Sequence, residues 1–231
     1  MPISEPEAVS ALSADDQLAA RLRGFGPLGI LAILIIIAGH AIAPLSAILV
    51  LVWARISRTP WRDIGYIRPR SWIGTVMVGI VFGVAFKFAM KAIVMPLFGA
   101  PPINQPYHFI AGNTAAFLWM LFVVIVVGGF GEETVFRGWM FERLGKLFGQ
   151  SKGAKISIVL TTSVIFALAH YPGQGLPGVE QAIFTGLAFG TIFAVTGRIV
   201  LPMIAHAAFD VAALAMIYWD VESAVAHLVF K

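Results

Sequence analysis

The segment from Phe117 to Arg137 constrains this chain more than any other. Phe117 to Val127 is apolar throughout and runs, with no proline between, into Gly128-Gly129-Phe130-Gly131-Glu132-Glu133-Thr134-Val135-Phe136-Arg137-Gly138, which carries two carboxylates and a guanidinium. An ionisable group within a membrane span costs at least about 2.5–3.5 kcal/mol, so it faces the protein interior, takes a partner and marks a functional site. Composition makes the bilayer the solvent: 59% of the 231 residues are hydrophobic and only 12% are charged, against roughly 45–50% apolar residues in soluble domains. At about 20 apolar residues per span there is room for about six, and the chain reads as an all-α, polytopic membrane helix bundle. No cysteine is present, which excludes disulfides, thiolate nucleophiles and Cys-based metal centres. The net charge of +4 comes from basic residues in short loops, where they orient spans instead of binding nucleic acid.

Residues 1–24 are polar and lack the apolar core of a signal peptide, so they read as a tail or surface helix ahead of a single membrane domain over 25–231. Phe25 to Ala54 is nearly all apolar and reads as one tilted span, kinked where His40 and Pro44 interrupt it. Arg55, Arg58, Arg62, Arg68 and Arg70 form a basic loop flanked by interfacial aromatics. The span from Ile73 to Phe98 carries Lys87 and Lys91 at i, i+4, which read first as lysines snorkelling from a partly interfacial helix, with lining of a watery groove or binding of anionic headgroups as the alternative. Gly99 to Gly112, with three prolines and no Lys or Arg, is a loop on the opposite face. Further spans run from Asn113 into the acidic motif, from Ile156 to His170, from Val179 to Val195 and from Ile199 to Trp219, with Tyr171 to Gly178 as a turn-rich loop. The basic segments Arg55–Arg70, Arg137–Lys155 and Arg198 fall on alternate turns and so belong on the cytoplasmic side.

Outside the tail and loops, the polar residues reduce to three clusters: Glu132, Glu133 and Arg137; His170; and His206 with Asp210. At about 1.5 Å per residue, each lies roughly 12–22 Å from a basic anchor on one face, so three helices can deliver them to one pocket. Glu133 and Arg137 share a helical face and read as a structural ion pair. Glu132 is turned about 100° from Glu133 on an α-helix, free to point elsewhere as a working base. Two neighbouring carboxylates in a low-dielectric site suit proton transfer near neutral pH. His206 and Asp210 also share a face. Water activated by Glu132 and His170, facing donors from His206, is a peptide-hydrolysing arrangement.

Glu132-Glu133-x-x-x-Arg137, Phe166-x-x-x-His170 and His206-x-x-x-Asp210, in this order on successive apolar helices, resemble the signature motifs of the CPBP family of intramembrane proteases. These are the type II CAAX prenyl endopeptidases (Rce1-like) and bacterial relatives, also called Abi proteins, and the resemblance covers roughly residues 113–219. It implies a bundle of eight or fewer helices around a cavity, and endoproteolysis of membrane-associated proteins or peptides without a covalent intermediate. By resemblance, Glu132 and His170 activate water, His206 and the residue at Asp210 stabilise the oxyanion, and Glu133 with Arg137 supports the site. The departure is Asp210, where prenyl-processing members have Asn: an ionised Asp accepts hydrogen bonds but cannot donate them. Asp210 is therefore protonated, or orients His206, or helps hold a metal. The reading carried forward is metal-free and glutamate-type, with Zn²⁺ on Glu132, His170 and His206 as the alternative. The short tail and compact length point to a bacterial inner-membrane member. Competing readings are a non-proteolytic scaffold or bacteriocin-immunity-type protein, a small transporter, and an aspartyl-type protease. The last lacks a second membrane aspartate to partner Asp210.

Overall fold

The computed structural model describes residues 13–42 and 44–230. They form two compact units, residues 1–63 and 64–231, and residues 1–12 of the expected tail lie outside the described part. Every regular element among the described residues is helical.

In the first unit, α1 (Ala14–Arg23) is capped by Ser13, has Asp15 and Asp16 in its first turn and Arg21 and Arg23 in its last, so its charges complement the helix dipole. It bends by 60° into α2 (Pro27–Ala38). A 3-10 turn containing His40 and then Pro44 separate α2 from α3 (Leu45–Ile56). Phe25 to Ala54 is therefore not one span. Proline lacks the N–H that would continue the ladder, and the two helices, 12 residues each, reach only about 18 Å apiece.

The second unit holds α4 (Trp72–Leu97), α5 (Thr114–Phe148), α6 (Lys152–Thr196), α7 (Val200–Tyr218) and the short α8 (Glu222–Ala226). Among the described residues four helices are long and apolar enough to cross a membrane, five if α1 and α2 count as one bent span; the count of about six is not confirmed. Only 17% of the most apolar window of α5 is buried inside the protein, so its surface needs lipid as solvent. The chain is an integral membrane protein.

The 45-residue α6 folds back on itself at Gly175, whose φ of 63° and ψ of −158° suit only glycine. A Cβ on Gly186 would lie 2.9 Å from the Ser163 side chain, so the halves 152–174 and 176–196 run antiparallel in contact. The loop expected over residues 171–178 is thus a sharp corner between two helices, with Pro172 and Pro177 flanking it. Helix α7 is central. Gly83 of α4 and Gly129 of α5 bring their backbones against it so closely that added Cβ atoms would lie 2.2 Å from the Ala205 carbonyl oxygen and 2.8 Å from the Ala207 side chain. Close approach through small residues is how helices associate where lipid removes the hydrophobic drive between them.

The two ends of this unit differ in chemistry. At one, Arg198 donates to the Arg68 carbonyl at 2.7 Å and the Ile199 N–H to the Gly65 carbonyl at 2.9 Å. At the other, the proline-rich loop meets the C-terminal segment, where the Gly112 N–H donates to the Tyr218 carbonyl at 3.0 Å.

Candidate active site

The site is built where α5 abandons the α-helical repeat. Residues Val124–Glu132 and Thr134–Trp139 wind as π-turns, an uncommon geometry that concentrates at functional sites. Glu132 and Glu133 still face differently: Glu133 is fully buried against Arg137, and Glu132 approaches the other edge of His206. Both reach the same imidazole. Glu133 Oε1 accepts from His206 Nδ1 at 2.7 Å, while Glu132 Oε2 lies 3.8 Å from His206 Nε2.

Behind the imidazole, Arg137 donates to the same Glu133 oxygen at 2.8 Å. Both members of this pair are buried, Glu133 at 0% and Arg137 at 1% exposure, so the charge is compensated where water cannot help. The guanidinium lies 4.6 Å from the Phe166 ring and 5.7 Å from the Phe189 ring. These rings belong to opposite halves of α6, so the cation lies among aromatic faces from both.

His170 is fixed by its own helix. Its Nδ1 lies 2.8 Å from the Phe166 carbonyl. A carbonyl only accepts, so Nδ1 carries the proton, and in a neutral imidazole Nε2 is then the acceptor. On α7, Asp210 Oδ2 lies 3.4 Å from His206 Nε2, which leaves the imidazole flanked by carboxylates at both nitrogens. Gly128 makes room for this: a Cβ there would lie 2.9 Å from Asp210 Oδ2.

Glu132, His170, His206 and Asp210 line one cavity of about 140 Å³. Lys87, Tyr107 and Gln174 line it as well. The cavity thus gathers acceptors from α5, α6 and α7 and a cation from α4, and such a set can hold water, move a proton and oppose developing charge. As a zinc site the residues do not fit as they stand: among the described residues no group of three His, Cys, Asp or Glu is spaced to hold a metal ion.

The lysines correct their sequence reading. Lys87 and Lys91 do not snorkel outwards; they are 6% and 7% exposed. Lys87 Nζ donates to Gln181 Oε1 at 2.7 Å and sits 4.9 Å from the Phe209 ring centroid. Lys91 pairs with Glu222 at 2.9 Å, and the Glu222 Oε2 atom accepts the Asn104 N–H at 3.2 Å. Tyr107 and Gln174 were missed by sequence reasoning because they sit in a loop and at a helix corner, where no periodicity marks a face. The one available signal was that Tyr107 is a lone hydroxyl in the proline-rich segment 99–112, read as a loop on the opposite face.

No curated protein and no solved structure matches the chain. Residues 114–212, which include Glu132, Glu133, Arg137, His170, His206 and Asp210, match the family model described as Type II CAAX prenyl endopeptidase Rce1-like, so this segment is similar to that family.

Proposed function

We propose that the protein is an intramembrane endopeptidase that hydrolyses membrane-associated proteins or peptides with water activated by Glu132 and His170. The observation that carries this reading is the single cavity shared by Glu132, His170, His206 and Asp210. Glu132 takes a proton from the water as its oxygen bonds to the scissile carbonyl carbon, and the carbonyl electron pair moves onto oxygen. His170, through Nε2, accepts the second water proton in a hydrogen bond and fixes the line of attack. The Nε2 edge of His206 faces the developing oxyanion. Glu133 orients that ring from behind, and Arg137 holds Glu133 in place. When the intermediate collapses, the C=O bond re-forms, the C–N bond breaks, and the proton on Glu132 passes to the leaving nitrogen. Asp210 is read as an orienting acceptor for His206. The Arg-rich end faces the cytoplasm, and the source reading is a bacterial inner membrane.

The test is cleavage of a pool of apolar membrane peptides by purified protein, read by mass spectrometry with and without chelator, beside Glu132→Gln and His170→Ala. Chelator-resistant cleavage that both substitutions abolish, with folding retained, supports the mechanism. Cleavage lost to chelator and restored by Zn²⁺ overturns the metal-free version. Unchanged cellular activity of Glu132→Gln supports the scaffold reading instead.

A further inference from the structure

At Asp210 the Rce1-like segment has an acceptor where a second oxyanion donor is expected, so hydrolysis in this cavity lacks one hydrogen bond. Of the cavity's remaining polar groups, Lys87 is held towards Gln181 and the Phe209 face. Tyr107 is placed differently. It stands in the 3-10 segment Gln105–Ile110, outside the matched segment, with its ring packed on the cluster of Ile110, Leu214 and Ile217. Its hydroxyl oxygen accepts from Gln174 Nε2 at 3.4 Å. That contact occupies a lone pair and leaves the O–H free to donate. The groups acting on the phenol are Glu132 from α5, Asp210 from α7 and Gln174 from α6. Burial, first, and then the two carboxylates push the Tyr107 phenol above its ordinary range, against a smaller opposing effect of Gln174, so the proton stays on oxygen at working pH.

We infer that Tyr107 is a catalytic residue: resting on the hydrolytic reading above, its O–H donates to the negative oxygen of the tetrahedral intermediate beside His206, in place of the donor that Asp210 cannot be. Gln174 positions that hydroxyl. A neutral donor suits a cavity that already holds two carboxylates, because it stabilises the oxyanion without forming an ion pair with Glu132 or Asp210. An oxyanion also draws a stronger hydrogen bond than the ground-state carbonyl, so the effect belongs to the chemical step and not to binding.

The experiment is steady-state cleavage of one peptide chosen from the pool above by the wild type, Tyr107→Phe and Gln174→Leu. Tyr107→Phe is expected to lower kcat by about 10²- to 10³-fold with KM nearly unchanged, and Gln174→Leu to lower it less. A Tyr107→Phe kcat close to that of the wild type overturns the inference while leaving the hydrolytic reading intact. A wild type that cleaves nothing overturns both. Should Tyr107→Phe fail to fold, 3,5-difluorotyrosine at position 107 keeps the shape and makes the phenol more acidic. The alkaline limb of kcat is then expected to move to lower pH, and a limb that does not move overturns the assignment.

Discussion

Two buried ionic clusters stand in the same unit, and they are built to different ends. Around Glu133, one carboxylate oxygen accepts from both Arg137 and His206, and the imidazole it grips turns its other nitrogen towards the cavity. Around Glu222, each oxygen has a partner of its own, Lys91 on one and the Asn104 N–H on the other. The first holds the imidazole that lines the cavity. The second closes the loop and C-terminal segment over α4. Burial and ion pairing are therefore not what marks the site; the difference is whether a member has a free valence facing the cavity.

The sharpest way to break this comparison is to remove the carboxylate proposed to react, alone. Glu132→Gln keeps the shape and the contacts of α5, so hydrolysis should fall by about 10⁴-fold, the upper end for a general base, with the thermal midpoint held. A variant that retains cleavage would put Glu132 in the same structural class as Glu222.

The single substitutions Arg137→Met and Lys91→Met should look alike in stability. Each leaves a carboxylate buried without its cation, which costs about 3–5 kcal/mol, read as a lowered unfolding midpoint in detergent. The clusters separate in the double variants. Lys91→Met with Glu222→Leu removes both charges and should recover most of the lost stability together with activity, less the single hydrogen bond of Asn104, about 1 kcal/mol. Arg137→Met with Glu133→Leu should recover stability at most, because His206 Nδ1 then has no acceptor and the ring is no longer aimed. Recovery of activity in the second double variant would show that Glu133 and Arg137 are packing alone.

The same contrast explains what the sequence made legible. Glu133 and Arg137 are four residues apart on one helix, and the charged residues of α5, α6 and α7 stand out against long apolar runs, so the ion pair and the three clusters could be read from spacing. The partnership of Lys91 with Glu222 joins residues 131 positions apart, and no periodicity links them; the lysines look like snorkelling ones because a helix pattern says which face they share but not what covers it. Helix class was legible from hydropathy, whereas the break of Phe25–Ala54 and the tight corner at Gly175 depend on local backbone chemistry within runs that look continuous. The π-winding of α5 was hidden for a different reason. It changes the hydrogen-bond register of the helix without changing the composition of the segment.

The smallest expected effect is the finest probe of the difference between the clusters. A Cβ at Gly128 meets Asp210 Oδ2 at 2.9 Å and comes within 3.9 Å of His206 Nε2, with no backbone atom among its near contacts. The carboxylate is the end of a short side chain that can rotate, so Gly128→Ala should change stability by no more than about 0.5 kcal/mol. The rotation moves the acceptor that faces His206. A misplacement of about 1 Å can cost 10²-fold in rate, and a shift of a few tenths of an ångström at an orienting group should cost less, about tenfold in kcat. A comparable contact at the Glu222 cluster has no reacting atom to disturb and should leave kcat alone. Unchanged kcat in Gly128→Ala, with the midpoint also unchanged, would mean that Asp210 does not orient His206 and that α7 contributes to the reaction only through the imidazole itself.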